Sequence, residues 1–397
     1  MARYVGTSSK GIRLPILKTG DNLEKIVCDT ILAAQENGEL QIKDRDIIAI
    51  TESLVARVQG NYATIDDIAK DVENTFGKSE IGIVFPILSR NRFSILLKGI
   101  AKAAKKVIVQ LSYPSDEVGN KLVTEEDIIQ NNINPYSDVL DLKKYHQYFG
   151  NKVHEFTGVD YVAFYEQIVR EQGADFEIVF SNSPETILQY CKNVIACDIH
   201  TRKFTKQRLV KAGANKVIGL DDILSKPINN SGFNEKYGLL GSNKASETSV
   251  KLFPRDAEPL CYNIQKTIHE KTGKTVEVMV YGDGAFKDPQ GKIWELADPV
   301  VSPFFTKGLL GTPNEVKLKY LADNKYSSLT GEELKKAIKK DIAEKDKQLV
   351  GKMVSEGTTP RQLTDLIGSL CDLTSGSGDK GTPVVYISGY FDNYVSE

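Results

Sequence analysis

Apolar positions along the chain follow two rhythms, one of helices and one of strands. Leu23, Ile26, Val27, Ile31 and Leu32 recur at helical spacing after Asp21, and Gly38 closes the run. Before it, residues 11–17 (Gly-Ile-Arg-Leu-Pro-Ile-Leu) read as a short edge strand, because Pro15 has no N–H to offer a central position. Residues 46–56 form a near-continuous β-type run, as expected of a strand covered on both faces. Thr64 caps the next predicted helix, which stops at Gly77, and a helix over 95–105 feeds the strand Lys106–Leu111.

The pattern weakens across 118–160, where Asn, Asp and Tyr are frequent, and this stretch reads as a boundary. Over 160–226 helix and strand alternate, with helices at 160–172, from 183 and over 203–212 ahead of strands at 177–180, 193–197 and 216–220. That alternation predicts a small parallel βα unit. A strand at 249–253, a helix capped by Asp256 and a strand at 275–281 follow. Thr330 and Glu333 form a capping-box pattern ahead of a charged helix expected to reach about 356, whose alternating charges mark a solvated face. Pro360 opens one more helix, and a strand over 383–388 ends the pattern.

The 397 residues are 41% hydrophobic and 26% charged, which is the balance of an ordinary folded protein. That length suits about two or three domains. With 51 Lys+Arg against 53 Asp+Glu, the formal net charge of −2 provides no global field to attract nucleic acid or an anionic membrane. No apolar run nears the roughly 20 residues that span a bilayer, and the first residues lack the apolar core of a secretory signal. Cys28, Cys191, Cys197, Cys261 and Cys371 are scattered, with no C-x-x-C pair. They read as buried thiols of a cytoplasmic protein, not as a zinc site or a disulfide framework.

Two segments carry candidate chemistry. In Tyr281-Gly282-Asp283-Gly284 a carboxylate follows an apolar strand between glycines that let a ligand approach, which suits a Mg²⁺-type ion. Asp283 and Asp288 also fit a turn in which they only satisfy backbone donors. The second segment is Ser375-Gly376-Ser377-Gly378-Asp379-Lys380-Gly381-Thr382, whose N–H groups and lysine could converge on phosphate. It lacks the helix opening of a Walker motif and also reads as a mobile connector. Asp198 and His200, two apart at a strand end, either share a metal or leave the histidine as a hydrogen-bonded surface group. Arg90, Arg92 and Lys98 form a small basic cluster that faces either solvent or an acidic substrate.

Several pieces in fixed order resemble the coenzyme F-420 γ-glutamyl ligase family. They are Arg13-Leu-Pro-Ile-Leu-Lys-Thr-Gly-Asp21, the run from Asp46 through Arg57 to Gly60, Gly241-Ser-Asn243 with Leu252-Phe-Pro-Arg-Asp256, the Asp283 segment with Trp294, and Gly376-Ser-Gly-Asp-Lys-Gly-Thr-Pro-Val-Val385. The resemblance covers about the first 110 residues and most of 237–389. It implies an α+β fold, with a mixed-sheet ligase-like domain built from 1–111 and 237–397. An insertion over 112–236 would carry the parallel βα unit.

By position, the family's guanine-nucleotide contacts fall on Leu14, Pro15, Ile16, Leu17, Glu52, Ser53, Arg57 and Asn243, and on the 375–382 loop. Arg57 stands where the family has a lysine, which keeps the charge and changes the hydrogen-bond fork. One metal aspartate is kept as Asp283; the other aligns with Leu240, so Asp288 and Asp298 are candidate substitutes. The resemblance implies GTP or ATP, Mg²⁺ or Mn²⁺, L-glutamate and a carboxylate acceptor, joined through an acyl phosphate by a homodimer. Arg57 and Asp283 would be catalytic, and Arg90 or Arg92 would receive a substrate carboxylate. The lost aspartate leaves a second expectation open, a nucleotide-binding or regulatory homologue without the chemistry.

Overall fold

The computed structural model describes residues 4–155, 157–282, 302–349, 351–355, 361–375 and 378–396, with the backbone of 285–287 and 294–296. The chain begins with β1 (Ser8–Ile12), α1 (Leu23–Glu36), β2 (Ile47–Thr51) and α2 (Glu52–Gln59). It continues through β3 (Tyr62–Thr64), α3 (Ile65–Phe76), β4 (Glu80–Val84), α4 (Phe93–Ala103), β5 (Lys106–Leu111), α5 (Glu125–Gln130), β6 (Leu140–Asp141), α6 (Leu142–Phe149) and α7 (Tyr161–Glu171). Then come β7 (Asp175–Phe180), β8 (Asn193–Ala196), α8 (Arg202–Lys211), β9 (Lys216–Gly219), β10 (Asn243–Lys244) and β11 (Ser249–Lys251). The last stretch holds α9 (Ala257–Thr272), β12 (Glu277–Tyr281), β13 (Ala285–Lys287), β14 (Trp294–Leu296), β15 (Phe304–Phe305), α10 (Leu318–Tyr320), α11 (Gly331–Ala343), α12 (Leu363–Thr374) and β16 (Val384–Ser388).

Contacts divide the chain into one unit of 1–58 with 256–397 and a second of 59–255. The first is built on a mixed sheet of order β1-β16-β2-β12-β15, in which β2 and β12 are parallel and the other pairs antiparallel. Alternation along the strands sends Ile48, Ile50, Val278, Val280 and Val384 to one face, under Val27 and Ile31 of α1 and Cys261, Ile264 and Ile268 of α9. Ile47, Ala49, Met279, Val385 and Ile387 go to the other face, under Leu363, Ile367 and Cys371 of α12. A strand covered on both sides needs no polar face, which explains the unbroken apolar run of β2. The strand expected over 46–56 stops at Thr51, because Leu54, Val55 and Val58 then recur at helical spacing and the chain turns into α2.

The second unit contains a six-stranded sheet of order β6-β7-β5-β4-β8-β9, parallel except for the β6–β7 pair. Counted in chain order, its five parallel strands lie 3-2-1-4-5, a doubly wound arrangement. Ile68, Leu97, Ile100, Ile168 and Val169 from α3, α4 and α7 cover one face. Leu209 of α8 and Ile187, from the turn between β7 and β8, cover the other, against Val84, Ile108 and Val194. A small antiparallel sheet, β10-β11-β3, completes the unit. The sequence divided the chain at 111/112 and 236/237; the contacts divide it at 58/59 and 255/256, because β4 and β5 pair into the same sheet as β7 and β8.

The helix expected to run from 330 to about 356 ends at Ala343, and Thr330 makes no side-chain cap. Asn314 Oδ1 accepts the Leu349 N–H at 3.0 Å and holds the following segment off the helical path. All five cysteines are buried and free, as expected. Burial pushes the Cys28 and Cys261 thiols up to about 12, which removes them as thiolate nucleophiles. Among the described residues, no helix is long and apolar enough to cross a membrane.

Gly99 lets α4 lie directly on α3, since a Cβ there would sit 2.6 Å from Ile68 Cγ2 and 3.1 Å from the Ile65 carbonyl. Overpacking of this kind typically costs about 1–3 kcal/mol. Gly99→Val is therefore expected to lower the thermal unfolding midpoint by several degrees, readable by circular dichroism, and an unchanged midpoint would refute the close crossing.

Candidate functional site

Strand register in the first unit decides which loops meet. Ile12 lies opposite Val384, Val384 opposite Ile50, and Tyr281 beside Thr51. The ends of β1, β2 and β12 and the start of β16 therefore share one edge of the sheet. In a parallel pair this is the edge where α/β proteins place reactive groups. Because β16 runs the other way, it presents there the loop that precedes it.

Direct contacts tie these loops together. The Leu14 N–H donates to the Gly381 carbonyl at 3.2 Å, and the Thr51 N–H to the Pro383 carbonyl at 3.0 Å. Arg57 Nε donates to the Leu17 carbonyl at 2.8 Å, and the Thr19 hydroxyl to the Arg57 carbonyl at 3.1 Å. Gly11 leaves room for Thr382, whose Cβ would lie 2.9 Å from a Cβ at that position. Leu17 is buried and anchors its segment, while Pro15 is exposed and Ile16 stands 87% exposed despite its apolar side chain. Glu52 is buried at the start of α2; Ser53 and Arg57 are exposed, as are Gly378, Asp379, Lys380 and Gly381.

At the other end of the loop, the buried Tyr281 hydroxyl lies beside Ser375 without a hydrogen bond of good geometry. Burial pushes that phenol up, and Ser375 works against the shift. The described loop residues thus start against the end of β12 and finish beside the end of β2. Tyr281 is the residue the sequence did not single out here; a tyrosine closing an otherwise aliphatic strand is the signal that could have found it.

The other expected residues are either outside the described residues or in the second unit. Asp283, Asp288, Asp298, Gly376 and Ser377 lie outside the described residues, with Gly282 the last one described before Asp283. Asn243 belongs to the second unit, in β10 opposite Lys251. Leu240 is an apolar core residue of that unit and offers no ligand to a metal. Glu247, another carboxylate of the second unit, is taken up by Lys244 and by Lys98 at 3.6 Å. No group of three metal-ligating side chains occurs among the described residues.

Asp198 and His200 have different surroundings. Asp198 is buried and its Oδ2 accepts from the Thr201 and Thr205 hydroxyls at 2.6 and 2.7 Å. His200 is exposed, with its backbone N–H donating to Glu117 Oε2 at 3.1 Å. Arg90 and Arg92 line a cavity of the second unit together with His154 and Lys244, a grouping that the sequence left invisible because it joins three separate stretches of chain.

A family model described as F420-0:Gamma-glutamyl ligase matches residues 11–389, nearly the whole chain. The chain belongs to the F420-0:gamma-glutamyl ligase family. Membership makes it one of the amide-bond-forming ligases, which act on small molecules. No curated protein matches the chain.

Within this ligase-family scaffold the loop's backbone is set by Gly381, whose φ of +64° is unfavourable for any residue with a Cβ. Gly381→Ala is expected to cost about 1–2 kcal/mol. Gly378→Ala meets nothing within 4 Å and should be neutral. Equilibrium urea unfolding checks the contrast, and equal midpoints for the two variants would contradict it.

Proposed function

We propose that this protein is a nucleoside-triphosphate- and divalent-metal-dependent ligase that joins L-glutamate to the carboxylate of a cofactor-like acceptor, deazaflavin or folate in kind. An acceptor carboxylate oxygen attacks the γ-phosphorus of GTP or ATP, the bond to the diphosphate breaks, and an acyl phosphate forms. The glutamate amine then attacks the acyl carbon. The C–N bond forms, phosphate departs with its bonding pair, and the amine proton passes to solvent. Both steps develop charge on phosphate oxygens, so catalysis rests on positioning and on cationic donors.

The observation that carries this reading is the continuous edge formed by 13–17, the start of α2 and the end of the glycine loop, joined by the Leu14–Gly381 and Arg57–Leu17 hydrogen bonds. The family match supplies the reaction class. In this reading Arg57 and Lys380 face the phosphates along with the N–H groups of residues 378–382. The exposed Ile16, with Leu14, Pro15 and Leu17, gives the base an apolar wall, and Glu52 and Ser53 complete the nucleotide's surroundings. Asp283, helped by Asp288 and Asp298, holds a divalent ion, which when bound neutralises charge on the transferred phosphoryl group. A homodimer and a cytoplasmic location come with the same reading.

The burial of Leu240 among apolar side chains, at the position of a family metal aspartate, favours a second reading: a nucleotide-binding homologue without turnover. Phosphate release from GTP and ATP with Mg²⁺ or Mn²⁺, measured with and without L-glutamate across pterin-like and flavin-like acceptors, separates the two. Acceptor- and glutamate-dependent release is expected, whereas nucleotide binding with no release under any combination establishes the second reading. Asp283→Asn should lower metal-dependent turnover about 100-fold or more while leaving the unfolding midpoint in place. Full activity in that variant would remove Asp283 from the site.

A further inference from the structure

We infer that the second unit carries its own site for a phosphorylated small molecule, in the cation-lined cavity at the carboxyl edge of its doubly wound sheet. The cavity is about 610 Å³, within the ordinary range of small-molecule sites. Residues 87–92, which follow β4, form one wall, and Val118 and Asn120, which follow β5, form another. The order of the sheet reverses between β4 and β8, so the cavity lies beside that switch point, on the carboxyl side of β4 and β5 where doubly wound sheets bind their ligands.

The lining is strongly one-signed. Arg90 and Arg92 bring guanidinium groups and Lys244 an amine, His154 adds an imidazole, and no carboxylate lines the cavity among the described residues. The nearest acids act from outside: Glu247 on Lys244, and Asp116 and Glu155 on His154. Burial holds His154 below its ordinary value and Arg90 adds to that shift, as expected of cationic groups crowded around one space. Two guanidinium forks and an ammonium suit tetrahedral phosphate oxygens, and Ile87, Val118 and Tyr161 offer an apolar flank to the rest of the ligand.

The wall after β4 is also rigid before any ligand arrives. The Leu88 N–H donates to Asp116 Oδ2 at 2.8 Å, and the same carboxylate accepts from the Val118 and Asn120 N–H groups at 3.1 and 2.9 Å. Tyr165 donates to the Ile87 carbonyl at 2.7 Å and accepts from the Ser89 N–H at 3.0 Å. The Lys244 N–H donates to the Asn91 carbonyl at 2.7 Å, which fixes β10 to that wall. Asp116 and Tyr165 are buried, and the ties they make use backbone N–H groups and the Asn120 amide, leaving the Arg90 and Arg92 side chains out of these ties.

The inference is independent of the ligase reading, and its test keeps them apart. Titration calorimetry of the full chain with pyrophosphate in EDTA is run on the natural protein, on Arg90→Ala/Lys244→Ala and on Lys380→Ala, with citrate as a tricarboxylate comparison. Binding is expected in the natural protein and in Lys380→Ala, weakened about tenfold or more in the double variant. Loss in Lys380→Ala with none in the double variant, citrate binding tighter than pyrophosphate, or no binding at all would overturn it. Should the double variant unfold, Arg90→Gln makes the same comparison with the same expected direction.

Discussion

The first unit depends on the register of its central strand. β2 is held by β12 on one side and β16 on the other, in opposite directions, so one set of hydrogen bonds aligns three strand ends. A slip of a single residue would turn Ile48 and Ile50 from the α1/α9 face to the α12 face and separate the loops by a full side-chain step. Burial on both faces is what forbids the slip, since either face would then meet side chains of the wrong volume. The buried Asp46 adds a polar lock at the opposite end of the strand. It accepts from the Tyr386 hydroxyl, from the Lys43 N–H at 2.9 Å and from the Gly389 N–H at 3.2 Å. Unmaking any of these contacts would leave a buried carboxylate short of partners, so the strand end is fixed electrostatically as well as sterically.

Fixed register turns distant pieces of sequence into one surface. Residues 13–17, 52–57 and 378–382 meet only because β1, β2 and β16 end together, and each contributes little alone. Leu17 is the buried anchor that allows Ile16 to stand in solvent, an arrangement that a segment without tertiary support would not keep. Arg57 uses Nε on the Leu17 carbonyl, so its fork is aimed by the same segment it stabilises.

Sequence alone located elements more reliably than it located partners. Thr64 and Gly77 do bound α3, with the full capping box formed by Asp67, because caps are local chemistry. The alternation over 160–226 correctly announced parallel strands, yet the same sheet also takes β4 and β5, whose pairing is a long-range fact. The boundary at residue 52 was missed for a related reason: a β-type run and the first turn of an apolar-faced helix share residues, and only covering by α1, α9 and α12 decides where one ends. In the site, the motif loops were legible because glycine, lysine and proline are informative one at a time. The cavity with Arg90, Arg92, His154 and Lys244 was not, since no local rule links residues so far apart.

Charge gives these two surfaces their importance. A chain with a net charge of −2 exerts no long-range pull on phosphates, and the Debye length of about 8 Å at physiological salt would screen one anyway. Attraction for an anion must then come from cations brought within a few ångströms of one another, against their mutual repulsion. At both proposed sites the backbone is rigid, through the register of β2 in the first unit and the Asp116 and Tyr165 ties in the second. Rigid cations repel each other whether or not a ligand is present, so an anion that enters relieves a strain already built in and orders little that was free. In each proposed site a buried group imposes this order, Leu17 in the first unit and Asp116 in the second, so the cations beside them stand on backbone that is already set.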